Sequence, residues 1–385
     1  LPPVGSTVVR YTDDSIRYAY NDCFYAYSAM WWTWDRWERE IDFLALLGIN
    51  TLGVMLVGND AVKFELFSQP SGGSFSAAEL APLWQGPTGI WSGDPGPMGR
   101  SPDFHWIDAH RRLQTQICQR ARSLGMRIVF KGWDGTVPPG FKAKFPAAQV
   151  SCNAVTCTLP SYDPLFPRFA QEYLRVVTKL YGVDTGHFYK MDLYSQQPPT
   201  NDTAFVRDLT QNIFGAMTAV DPQANWMFSG WIFFGIETQD QGWWTWEQMR
   251  AFLGAVPPGR LMMQDVMAES RPNMQNTASY FGQPYFWGML ETFGGRPGLY
   301  GPMESVATLV AAARAQEIGL GKESQPLPHP PPARRLRLMC EGCAPAQHLA
   351  KWTVVEAAGE ESCQAACLAN VSCAAAVFTT ANNSC

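Results

Sequence analysis

Long hydrophobic runs are absent from this 385-residue chain. No apolar stretch approaches the roughly 20 residues that a bilayer-spanning helix needs. Charge is sparse, at 16 % Asp, Glu, Lys and Arg, and the net charge is −5 with no basic block, so a nucleic-acid partner is not expected. No G-x-G-x-x-G follows the first candidate strand, which argues against a doubly wound nucleotide fold. No second Cys pair or His pair follows Cys340-x2-Cys343, so zinc is not expected there, and no cofactor is expected. The chain opens Leu1-Pro2-Pro3, with neither Met nor a visible signal peptide, and reads as a processed chain or a fragment. Cysteine is thin over the first 339 residues, whereas six (Cys340, Cys343, Cys363, Cys367, Cys373, Cys385) crowd the end.

What is abundant is the aromatic class, at 13 %, with 15 tryptophans. A large α/β core accounts for many of them. Flat indoles also suit the faces of sugar rings, and the two readings are compatible. Three Asn-x-Ser/Thr triplets, at Asn201, Asn370 and Asn382, fit the glycosylation pattern. With the Cys-rich end they favour an oxidising, secretory compartment.

The chain's organising stretch runs from Tyr27 to Asp42. Arg17 to Trp32 is expected to hold the first strand, and its strand-like aromatic part, Phe24–Trp32, leads into a helix carrying Trp37, Ile41, Phe43, Leu44 and Leu47 at helical spacing. Gly48-Ile49-Asn50 then turns the chain into a second buried strand, Leu52–Leu56, and the unit repeats. Further strands are expected at 126–130, 187–191, 225–229, 261–265 and 284–290, with a weak eighth near Ile318-Gly319-Leu320. Helices are expected at 106–124, 166–180, 203–220, 244–253 and 304–315, and long loops at 57–102 and 131–160. Eight strands alternating with helices predict an α/β fold of the (β/α)8 TIM-like barrel type, with its chemistry where strands end. The barrel is expected over 1–323, a Pro-rich linker over 324–339 and a small Cys-rich segment over 340–385, too small for an apolar core without disulfides.

The motif Asn21-x-Cys23-x3-Tyr27-Ser28-x2-Trp31-Trp32-x-Trp34-x2-Trp37-Glu38-Arg39-Glu40-Ile41-Asp42 resembles the α-N-acetylglucosaminidases of glycoside hydrolase family 89. Matches continue in order: Gly140-Phe141 with Phe145-Pro146, Asp192 with Gln197-Pro198-Pro199, Met217–Asp221, Gly230-Trp231, Leu253–Pro257, Ala268-Glu269-Ser270, Gly282-Gln283-Pro284 and Phe293-Gly294-Gly295. The resemblance covers about residues 15–323. It implies a (β/α)8 catalytic domain that removes terminal α-linked N-acetylglucosamine with retention, as in lysosomal heparan sulfate breakdown. Retention needs two carboxyls about 5–5.5 Å apart, one an acid then a base, the other a nucleophile.

Carried over residue by residue, the resemblance makes Glu323 the nucleophile, although an ordinary glutamate beside a linker fits that position as well. Asn21, Cys23, Tyr27, Trp231, Trp84, Asp265 and Phe293 would line the sugar pocket. The aromatics among them could equally be barrel packing, and Cys23 a small buried apolar residue. The family's acid/base Glu is missing: the segment reads Asp192-Leu193-Tyr194-Ser195-Gln196-Gln197. Gln196 matches Glu in shape but cannot give and recover a proton. Asp192, Asp265 and Glu291 are then candidates for a relocated acid. Asp192 and Asp265 could instead bond to backbone or Arg, and Glu291 could pair with Arg296. The tail Cys363-x3-Cys367-x5-Cys373, followed by Phe378 and Cys385, looks like part of a PAN/apple module, which implies an extracellular protein or carbohydrate partner. Two further readings stay open. One is a glycan-binding barrel without catalysis, and the other is a mis-joined gene product, since the sequence changes character after Glu323.

Overall fold

A computed structural model describes residues 16–20, 24–25, 29–53, 57–83, 104–152, 157–192, 200–233, 244–266, 268, 272–273 and 277–288. All of them belong to one compact unit, Asp13–Gly342.

Seven strands form one parallel sheet in unbroken chain order: β1 (Tyr18–Ala19), β2 (Thr51–Leu52), β3 (Arg127–Lys131), β7 (Phe188–Lys190), β8 (Asn225–Ser229), β9 (Leu261–Asp265) and β10 (Tyr285–Trp287). A doubly wound sheet reverses its order at a switch point. This one never does. Laid flat, its first and last strands would stand about 29 Å apart, six steps of roughly 4.8 Å. Instead the rings of Tyr18 on β1 and Phe286 on β10 have centroids 5.3 Å apart. The sheet therefore curls round until its ends approach. Gly53, just past β2, permits this closeness, because a Cβ there would fall 2.1 Å from the Tyr18 hydroxyl.

Helices follow the strands. α1 (Trp34–Leu46) buries Trp37, Ile41 and Leu44, as its spacing predicts, together with Glu40, while Leu47 is exposed. α4 (Phe104–Ser123), α6 (Phe166–Tyr181), α7 (Thr203–Thr218) and α8 (Trp246–Leu253) follow β2, the β3 excursion, β7 and β8. Among the described residues no helix is long and apolar enough to cross a membrane.

Three expectations need correcting. Phe24–Trp32 is not strand: Phe24 and Tyr25 are helical, and Met30-Trp31 is a turn. Tyr20, at φ 78°, ends β1 after two residues. Its ring then stacks on Phe24 at 3.7 Å, and Phe24 meets Trp32 and Trp37 edge-on. Packing of rings has overridden β propensity. Second, the expected loop from residue 57 contains α2 (Asn59–Ser68) and a short capped turn, α3 (Ala77–Leu80). α2 is buried nearly all round, at Ala61, Val62, Lys63, Phe64, Leu66 and Phe67, so it lacks the one-sided pattern that marks a helix in sequence. Third, the expected loop 131–160 contains a three-stranded antiparallel sheet in the order β4 (Thr136–Val137), β6 (Cys157–Thr158), β5 (Ser151–Cys152), with α5 (Phe141–Lys144) inside it. Cys152 faces Cys157 across β5 and β6, and the two form a disulfide. The expected helix 304–315 and eighth strand lie outside the described residues.

Candidate active site at the strand exits

Alternation along the strands decides which side chains enter the barrel. On β7, Tyr189 points outward and donates its hydroxyl to Asp221 at 2.7 Å. Lys190 therefore points inward. Its Nζ crosses beneath β8 to donate to Oε1 of Gln264 on β9, at 2.8 Å. Lys190 is only 4 % exposed. A charge this deep needs partners. Besides Gln264, it lies 4.0 Å from the carboxylate of Asp192.

Asp192 stands two residues beyond Lys190, hence on the same inner side, with its side chain 24 % exposed. Oδ1 accepts the amide of Ser229 at 2.8 Å, while Oδ2 faces Lys190. This carboxylate is thus anchored by one oxygen at the end of β8 and turns the other toward an ammonium.

After β8 the chain makes a 3-10 turn, Gly230–Phe233, and presents Trp231 41 % exposed. The Trp231 amide donates to Ser229 Oγ at 3.3 Å. Trp231 is thus a large, partly exposed aromatic at a strand exit. Gly230 is required by crowding: a Cβ there would come 2.9 Å from the Gln264 carbonyl.

Asp265 is placed otherwise. It follows inward-facing Gln264 by one residue, so the pleat turns it outward, and it is 0 % exposed. Oδ1 accepts the Tyr280 hydroxyl at 2.8 Å and the Asn273 amide at 3.1 Å. Asn273 Nδ2 in turn donates to the Gly230 carbonyl at 3.3 Å. Asp265 thereby braces the segment that carries Trp231, from behind. Burial, first, and then the adjacent Asp265 carboxylate push the Tyr280 phenol well above its usual range.

A third cluster lies past β3. Lys131 Nζ donates to Asp134 Oδ2 at 2.7 Å, and Asp134 Oδ1 accepts the Thr136 amide at 3.0 Å. Burial works against the Asp134 carboxylate, but the Lys131 and Lys63 ammonium groups outweigh it and hold the carboxyl far below the ordinary range. Lys63, buried on α2, is itself pushed down by burial while Asp134 supports its charge.

The structure thus joins Asp192 to the Trp231 turn through Ser229 and turns Asp265 away from the mouth. Glu323, Asn21, Cys23, Tyr27, Trp84, Phe293 and Glu291 lie outside the described residues. Sequence reading missed Lys190, Gln264, Asn273 and the Lys63–Asp134 cluster. Lys190 carried a usable signal, a charge inside an otherwise buried strand (Phe188-Tyr189-Lys190-Met191). No group of acidic, His or Cys side chains among the described residues is disposed to hold a metal ion.

The family model for the α-N-acetylglucosaminidase TIM-barrel domain matches residues 17–324. The chain belongs to this family. Human α-N-acetylglucosaminidase is 36 % identical over 329 residues, which are 82 % of this chain and 43 % of the human protein. A family 89 glycoside hydrolase from Clostridium perfringens, solved with 2-acetamido-1,2-dideoxynojirmycin, superimposes with a TM-score of 0.65 at 22 % identity, covering 87 % of this chain and 36 % of that one. The Clostridium perfringens enzyme solved with its substrate GlcNAc-α-1,4-galactose gives 0.62 at 21 %, covering 88 % and 36 %. These likenesses establish the TIM-barrel fold that the curled sheet displays. The chain spans less than half the length of these relatives.

Proposed function

We propose that this α-N-acetylglucosaminidase-family barrel is a retaining glycosidase that releases terminal α-linked N-acetylglucosamine from glycans. The observation that carries this reading is the family match along the whole barrel, 17–324. The strand-exit geometry supports it: a partly exposed carboxylate, Asp192, is tied through Ser229 to the turn that presents an open indole, Trp231. Glu323 acts as nucleophile. Asp192 serves the leaving group, its Oδ2 facing the Lys190 ammonium at the barrel mouth. Trp231, with Asn21, Cys23, Tyr27, Trp84 and Phe293, lines the sugar pocket, and Asp265 acts indirectly by holding Asn273. The barrel, 1–323, is followed by the linker 324–339 and by the Cys-rich segment 340–385, which engages an extracellular partner. The Cys152–Cys157 disulfide and the exposed Asn201 of Asn201-Asp202-Thr203 suit a secreted or lysosomal compartment.

A second reading rests on one observation, Ser195-Gln196 where the family carries its acid Glu. On it the barrel binds the sugar and does not cleave it. An aryl α-N-acetylglucosaminide separates the two, because its good leaving group needs little help from an acid. Nitrophenol release that disappears in Glu323→Gln supports the glycosidase. Binding of N-acetylglucosamine with no release from folded protein supports the glycan-binding barrel.

A further inference from the structure

Of the three Asn-x-Ser/Thr triplets, Asn201-Asp202-Thr203 falls among the described residues, in the turn that leads into α7. The fold leaves its two key groups unspent. Asp202 caps α7 from an extended conformation, φ −75° and ψ 111°, and its Oδ1 accepts the amides of Ala204 at 2.8 Å and Phe205 at 3.4 Å. With the cap supplied by Asp202, the Thr203 hydroxyl holds no hydrogen bond among the described residues. Asn201 is exposed. Its Oδ1 lies 3.4 Å from Gln248 Nε2, and its Nδ2 donates to nothing among the described residues. An exposed, uncommitted amide nitrogen two residues before an uncommitted hydroxyl is the arrangement that N-glycosylation uses.

The contact with Gln248 sets Asn201 beside the first turn of α8. There a groove of about 220 Å³, the scale of one sugar ring, opens between α7 and α8. Thr203 and Arg207 of α7 form one wall, and Trp246, Glu247 and Arg250 of α8 line the other. Thr203 thus belongs to the triplet and to the groove alike. The walls are held in place. Thr245 and Gln248 close a reciprocal cap on α8, and Gln248 Nε2 donates to the Thr200 carbonyl at 2.7 Å, tying α8 to the residue before Asn201. Trp246 is half-buried, and Arg207 is exposed with no carboxylate partner among the described residues. An aromatic ring beside a guanidinium suits a neutral amino sugar, whose face packs on the ring while its carbonyl and hydroxyl oxygens accept N–H donors.

We infer that Asn201 carries an N-linked glycan whose first N-acetylglucosamine lies in this groove, its ring on Trp246 and its acetamido carbonyl toward Arg207. In the attaching step a bond forms from Asn201 Nδ2 to C1 of the sugar. The C1–O bond to a lipid pyrophosphate donor breaks, the pyrophosphate leaves with the electron pair, and the amide gives up one proton. The donor and its transferase belong to the secretory compartment proposed above, on which the site rests; the glycosidase reading is not needed. Seated in this way, the sugar joins the first turns of α7 and α8.

Peptide mass spectrometry of the full chain, made through a eukaryotic secretory pathway, tests the site. Asn201 is expected to carry the glycan in the wild type and in Thr203→Ser, and to be bare in Thr203→Ala. Trimming to the first sugar with an endoglycosidase then tests the groove. Amide exchange over residues 246–251 is expected to be about threefold or more slower in the trimmed chain than in Asn201→Gln, a difference that Trp246→Ala removes. Asn201 bare in a chain that carries glycan at Asn370 or Asn382 overturns the site alone. A chain bare at all three overturns it together with the support that the triplets give the secretory reading. Equal exchange in the trimmed and Asn201→Gln chains overturns the seating in the groove.

Discussion

Two aspartates end two strands of the same barrel, and their surroundings are opposite. Asp192, past β7, shares the inner side with Lys190 and keeps a quarter of its side chain open. Asp265, ending β9, follows an inner residue by one position and is sealed behind Tyr280 and Asn273. A single step of the pleat separates a group that meets solvent at the barrel mouth from one that only braces it. In a barrel, then, an acid near a strand end is not enough to mark chemistry. Its parity relative to a known inward residue is what counts.

The contrast can be broken by mutation. Asp265→Ala leaves the Tyr280 hydroxyl and the Asn273 amide without their acceptor in a dry site, and should cost about 3–4 kcal/mol of stability by urea unfolding. It should also weaken sugar binding, because Asn273 holds Gly230. Wild-type stability in this variant would erase the distinction drawn above.

Asp134→Asn is the next largest. It removes one countercharge of buried Lys63, Asp60 being another, and should cost about 2 kcal/mol at pH 7. The Asp134 carboxyl titrates below its unfolded value of roughly 3.9, so the stability it provides is complete above that pH and is lost as pH falls toward the folded value. The gap between wild type and variant should therefore hold steady from pH 7 to about 5 and narrow below about 4 in acid-unfolding curves.

Lys190→Met sharpens the contrast from the other side. Asp192 keeps the Ser229 amide and its access to water, so the stability loss should stay near 1–2 kcal/mol. Turnover of a sugar–sugar linkage, whose poor leaving group depends on Asp192, should fall about 100-fold because the charge facing Oδ2 is gone, whereas the aryl glycoside should stay within about threefold. Trp231→Ala should be the mildest for stability, within about 0.5 kcal/mol, as expected of an exposed position. It should nonetheless lower N-acetylglucosamine affinity about tenfold, read by calorimetry.

Much of the barrel was legible in the sequence. β8 and β9 fall at the predicted 225–229 and 261–265, where apolar runs are bounded by turn residues. What escaped had no periodic trace. α2 is buried nearly all round, polar Asn59 and Lys63 included, and the aromatic run 24–32 reads as strand until Tyr20 turns the chain. At the site, motif and strand ends pointed to Asp192 and Trp231. Nothing local distinguished Asp265 from Asp192, because the pleat that separates them is set by which neighbour faces the barrel axis. The Asp265–Asn273–Gly230 relay spans two loops and has no spacing of its own.

The most direct test of the glycosidase reading is proton NMR of the first sugar released from an aryl α-N-acetylglucosaminide. The account requires α-N-acetylglucosamine to form first and then mutarotate. Initial β-anomer, or no release from folded protein that binds the sugar, would contradict it.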